Sequence, residues 1–71
     1  MERILVENSS NIISAGYDEV NHILEIEFKG GGVYKYLDVP LDVFDSFMNS
    51  GSKGGFFHQG IRNVYGSTKS E

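Results

Sequence analysis

The chain of 71 residues has room for one small domain, and its five phenylalanines and four tyrosines must supply most of the burial available to a core. It has no cysteine, which excludes disulfides, thiolate metal sites and a thiol nucleophile. The net charge of −4 divides into −6 over residues 1–50 and +2 over residues 51–71, a balance ill-suited to broad phosphate neutralisation. No apolar run approaches the ~18 residues of a membrane span and nothing reads as a signal peptide, so a soluble, cytoplasmic protein is expected.

Residues 1–8 read as an extended lead-in or a short edge strand around Ile4-Leu5-Val6. Residues 11–17 read as a strand, with Ile13, Ala15 and Tyr17 alternating toward one face. Asp18-Glu19-Val20-Asn21 is a turn. Residues 22–29 give the clearest strand: Leu24, Ile26 and Phe28 point one way, Glu25 and Glu27 the other. Gly30-Gly31-Gly32 suits a hairpin. The return strand over 33–37 is expected to pair Tyr34 with Phe28 and Tyr36 with Ile26 on one face.

At Val39-Pro40 the period changes. Pro40 suits a helix start, and Leu41, Phe44, Phe47 and Met48 fall at helical spacing up to a stop near Gly51. Ser52 is placed to cap a second helix through Phe57, Ile61, Val64 and Tyr65, ended by Gly66. Residues 67–71 are expected to fray. The order predicts an α+β domain: a three-stranded antiparallel sheet followed by two helices packed on one face. Its expected core is Leu24, Ile26, Phe28, Tyr34, Tyr36, Phe44, Phe47, Phe57 and Ile61, with Phe44→Ala or Phe57→Ala each expected to cost ~3 kcal/mol or more.

Catalytic signals are weak, and neither an enzyme nor a cofactor is expected. His22 and His58 lack a second metal ligand at a recognisable spacing and read as surface residues. A triad of Ser52, His58 and an aspartate lacks a nucleophile turn and an oxyanion motif. Asp42 and Asp45 read as solvated helix carboxylates, and the glycine triplet joins two strands rather than opening a helix. Tyr34 and Tyr36 could offer nucleobase stacking platforms, but a domain this small needs both rings in its core.

Gly51-Ser52-Lys53-Gly54 between two helices has the outline of the backbone clamp of KH domains, yet no strand is expected after the second helix and the first helix is acidic. What survives is a modest anion site at the start of the second helix, with Lys53 beside it and Arg62 farther along. The candidate ligand-binding residues are therefore Lys35, Ser52, Lys53, Gly54, His58 and Arg62. Two or three phosphate contacts from this set would give RNA binding a log–log salt slope of roughly −2.

Taken in order, these pieces resemble the KTSC domain, named after a C-terminal domain of some lysyl-tRNA synthetases and also found alone as a short bacterial or phage protein. The likeness runs from Ser9 to Tyr65. It is carried by Ser10-Asn11-Ile12, Gly16-Tyr17-Asp18, Leu24-Glu25-Ile26-Glu27-Phe28, Tyr34-Lys35-Tyr36, Val39-Pro40, Ser52-Lys53-Gly54, Phe56-Phe57-His58, Ile61-Arg62 and Tyr65. The resemblance implies a single domain over residues 9–66, no assigned catalytic residue, and RNA binding as a suggestion from the synthetase context. The expected function is a small non-catalytic module that binds a protein partner, with weak RNA binding through residues 52–62 as the alternative. An open strand edge also allows self-association, and no membrane partner is expected.

Overall fold

The computed structural model describes residues 3–7 and 9–70. Two helices pack against one face of an antiparallel sheet, as the strand-then-helix order predicts, but the sheet has five strands rather than three. The strands are β1 (Arg3–Leu5), β2 (Ile12–Asp18), β3 (Ile23–Phe28), β4 (Gly32–Tyr36) and β5 (Ser67–Lys69), side by side in chain order. The helices α1 (Leu41–Met48) and α2 (Lys53–Gly60) lie between β4 and β5 in the chain.

The lead-in thus contributes an edge strand, β1, while Met1, Glu2 and Asn8 lie outside the described residues. The other added strand falls in the segment expected to fray. Ser67, Thr68 and Lys69 pair with Tyr36, Lys35 and Tyr34, and the Ser70 amide donates to the Val33 carbonyl at 2.8 Å. All three strand residues are exposed, so this strand is held by backbone bonds along β4 and not by an apolar face.

A bulge resets the phase of β2. Ile12 opposes Phe28 while Ser14 opposes Glu27, leaving Ile13 as the extra residue. Ile12 therefore joins Ala15 and Tyr17 on the core side, where simple alternation assigns Ile13. The hairpin register also differs from expectation by two residues: Ile26 opposes Tyr34 and Leu24 opposes Tyr36. The turn is tight, Lys29-Gly30-Gly31, with Gly32 already paired to Phe28. Gly30 at φ 74° and Gly32 at φ 82° take the left-handed backbone that this turn demands. A slip of two preserves every facing, so Tyr34 still meets Phe28, diagonally and edge-on at 5.8 Å.

Pro40 stands just before α1, whose last turn is closed by Asn49: both its backbone and its side-chain amide donate to the Asp45 carbonyl. Ser52 precedes α2 but makes no side-chain cap bond. The second helix ends at Gly60, well short of the expected Tyr65. Ile61 takes a non-helical φ of −126°, and residues 61–65 form a turn closed by Val64 and Tyr65 amides donating to the Ile61 carbonyl. That turn keeps Ile61 buried, leaves Val64 exposed and delivers the chain to β5.

The core between sheet and helices contains Leu24, Ile26, Tyr36, Phe47, Phe57 and Ile61 as expected, together with Val6, Ile12, Ala15 and Val39. Phe28, Tyr34 and Phe44 are only half-buried around it. Phe57 sits edge-on between Phe28 (5.1 Å) and Tyr36 (5.4 Å), and Phe44 stacks on Tyr17 at 4.9 Å. The Tyr17 hydroxyl donates to the Val39 carbonyl at 2.5 Å, tying β2 to the approach to α1.

Two tyrosines lose protons late in this fold. Burial raises Tyr17 above the ordinary 10.0, with the carboxylates of Glu19, Asp18, Asp42 and Asp45 adding to it. Burial likewise raises Tyr36, as does Tyr34, while Arg62 opposes the shift. A group whose pKa is higher folded than unfolded stabilises the fold fully below the unfolded value, and that contribution is lost as pH rises through the folded one. Stability is therefore expected to fall above pH 10. Tyrosinate absorbance followed alongside circular dichroism should show tyrosines lagging free tyrosine until unfolding; a titration in which none lags would contradict the packing around Tyr17 and Tyr36.

Candidate functional site

The sequence-level candidates do not form one site. Lys35 lies on the sheet face away from the helices, in the cross-strand row with Glu25 and Thr68. That face carries a polar network: Arg3 pairs with Glu25 and reaches Glu27 at 3.8 Å, while the Ser14 hydroxyl donates to Glu27 at 2.9 Å. Ser52, Lys53 and Gly54 sit at the start of α2, but the Lys53 ammonium donates to the Ser50 carbonyl at 3.2 Å. The loop there is hydrogen-bonded to itself, with the Ser52 amide donating to Ser50 Oγ and Ser50 Oγ donating to the Ser52 carbonyl.

His58 lies toward the other end of the helix, roughly 8 Å from Lys53 along its axis at ~1.5 Å per residue, and Arg62 follows just past the helix end. They are brought together: an Arg62 guanidinium N–H donates to His58 Nδ1 at 3.1 Å. A guanidinium only donates, so Nδ1 is the acceptor and the neutral ring carries its proton on Nε2. No hydrogen bond links Ser52 to His58, and Asp42 and Asp45 are exposed on α1. His22 is exposed in the β2–β3 turn at φ 56°, with its carbonyl accepting from the Val39 amide at 2.9 Å. In that same turn, Asn21 and Val20 donate to the Asp18 carboxylate and hold its pKa below the ordinary value. Among the described residues no group of three or more His, Asp or Glu side chains could hold a metal ion.

His58 and Arg62 rim an open pocket of about 170 Å³ between α2 and the sheet. Ile12, Phe28 and Phe57 line its interior; Asn11 and Lys29 complete the rim. The β2 bulge turns Ile12 inward, the glycine turn carries Lys29 to the mouth, and the end of α2 at Gly60 places Arg62 beside His58. The backbone closes this corner, the Lys29 amide donating to the Asn11 carbonyl at 2.7 Å. Neither Lys29 nor Arg62 has an acidic partner within 4.0 Å among the described residues. Asn11 and Lys29 are the site residues that sequence reasoning missed. The available signal was the lysine at the mouth of the glycine hairpin.

Among the described residues no serine hydroxyl is hydrogen-bonded to a histidine, and the one serine–carboxylate pair, Ser14 with Glu27, lies on the opposite sheet face. The pocket offers apolar walls beside cationic donors, and a volume below the ~300 Å³ where cofactor-sized pockets begin.

Comparison with known proteins bears on the family and the fold. A crystal structure of a KTSC domain protein from Yersinia pestis superposes with a TM-score of 0.95 at 41% identity, over 99% of this chain and 97% of that one. A protein of Stutzerimonas stutzeri, described only as uncharacterized, is 39% identical over 83% of this chain and 82% of its own length. A lysine–tRNA ligase of Trichormus variabilis is 36% identical over 87% of this chain, which spans only 11% of the ligase. The family model of the KTSC domain matches residues 8–65. The chain belongs to the KTSC domain family.

Proposed function

We propose that this domain is a small non-catalytic binding module that engages a protein partner through the pocket between α2 and the β3–β4 turn. One observation carries the reading: in a chain of net charge −4, Lys29, His58 and Arg62 converge on apolar walls with no carboxylate within the pocket lining. Charge left without an internal partner beside exposed apolar surface is the composition of a docking point. The edge strand β1 adds exposed Ile4 and Leu5 nearby in the sheet order, a second surface suited to a protein.

RNA binding is the second reading. The same three side chains favour it, as does the similarity to a segment of lysine–tRNA ligase. Against it stand the separation of Lys35 and Lys53 from the pocket and the burial of Phe57, 7% exposed, which leaves little ring surface for a base to stack on.

Affinity co-purification with the tagged full chain tests the two. The protein reading predicts that Lys29→Glu combined with Arg62→Glu loses a partner that Lys35→Glu retains. Loss with Lys35→Glu alone would move the site to the far sheet face. Single-stranded RNA that shifts residues 57–62 at low salt, with a log–log slope of roughly −2, would replace the protein reading with the RNA one.

A further inference from the structure

We infer that the pocket takes the C-terminal residue of the partner polypeptide, its apolar side chain against Ile12, Phe28 and Phe57 and its terminal carboxylate on Arg62 and Lys29. This rests on the protein-partner reading above and names the chemistry of its ligand.

The volume is the first constraint. About 170 Å³ admits one side chain, and anything larger must project through the open mouth into solvent. The second is the pairing of surfaces. Apolar walls and cationic donors occupy the same small space, so one ligand unit must carry both an apolar body and an anion. Internal aspartate and glutamate have too little hydrocarbon to cover three apolar side chains. An internal leucine or phenylalanine has no anion. A terminal apolar residue has both, one bond from the same Cα.

The charge count supplies the third constraint. Arg62 has donors left after its bond to His58, and a guanidinium can hold a carboxylate through two parallel bonds. Lys29 adds a second cation, and His58, accepting at Nδ1, presents Nε2–H as a further donor. Two cations and a neutral donor can balance one or two negative charges, while the chain, at −4 overall, repels a polyanion. A free amino acid fits poorly, because its ammonium would find no carboxylate among the pocket-lining side chains. A peptide amide removes that charge, and the Asn11 side chain, with no hydrogen bond among the described residues, lies at the rim to receive it.

N-acetyl-leucine is the minimal probe, with N-acetyl-leucinamide, free leucine and adenosine monophosphate as comparisons, each titrated into the isotope-labelled full chain. The expected result is saturable amide shifts at residues 11–12, 28–29 and 57–62 with N-acetyl-leucine, and at least tenfold weaker binding of the amide and of free leucine. Arg62→Glu and, separately, Lys29→Glu should each weaken N-acetyl-leucine about tenfold or more while keeping a dispersed spectrum; two variants guard against either one misfolding. Equal binding of acid and amide, or no shift at millimolar probe, overturns the inference. Tighter binding of adenosine monophosphate at the same residues overturns it in favour of a nucleotide ligand. If the probe fails while the double charge reversal still abolishes partner co-purification, the carboxylate inference falls and the protein-partner reading stands.

Discussion

Phe47→Ala is expected to leave much of the population unfolded. Phe47 is fully buried and is the one buried residue of α1, an eight-residue helix far too short to persist without tertiary packing. Its ring meets Phe56 of α2 edge-on at 6.1 Å, so the same side chain also joins the two helices. Removing a buried phenylalanine ring costs ~3–5 kcal/mol, which is about the whole stability expected of a domain this small. Urea unfolding followed by circular dichroism should show a collapsed or absent cooperative transition. A midpoint close to that of the unaltered chain would mean that α1 does not cover the sheet as described. Phe44→Ala is the contrasting case: its ring is half-buried against Tyr17, so its cost should fall below that of Phe47.

That contrast shows what the sequence made legible and what it left hidden. Helical spacing puts Phe44 and Phe47 on one apolar stripe, but only three-dimensional packing decides which of them points into the centre. The strands with period-two alternation, β2 to β4, were readable because their apolar sets are strong. The β5 strand was not, since Ser67, Thr68 and Lys69 carry no apolar signal and are ordered by backbone bonding to β4. The bulge that exchanges Ile13 for Ile12 was equally invisible, because an extra residue changes the facing without changing the composition. Apolar spacing from Phe57 to Tyr65 continues a helical pattern past the point where Gly60 and Ile61 end the helix.

The site was half legible for related reasons. His58 and Arg62, four apart at the end of α2, could be paired from sequence as neighbours. Lys29 and Asn11 join them only through strand pairing across the β2–β3 ladder, a non-local contact that no local pattern announces. Lys35 and Lys53, grouped with Arg62 by charge, lie apart from it in the fold. One projects from the opposite sheet face, and the other is held by its own loop.

The second large effect is on binding. Lys29 and Arg62 are exposed and have no acidic partner among the described residues, so reversing both charges should move unliganded stability by only a few tenths of a kcal/mol. The ligand should lose both of its cations. A ligand that binds only the folded chain stabilises it by mass action, about 1.4 kcal/mol at ten times its Kd, which is on the order of 5–10 °C in Tm for a chain of this size.

Thermal unfolding of the full chain at increasing N-acetyl-leucine concentration is therefore the most direct measurement. The unaltered protein is expected to gain Tm steadily with ligand, while the variant carrying Lys29→Glu and Arg62→Glu starts at nearly the same Tm and gains none. An equal rise in both proteins, or a flat response in the unaltered one, would contradict the assignment of this pocket as the binding site.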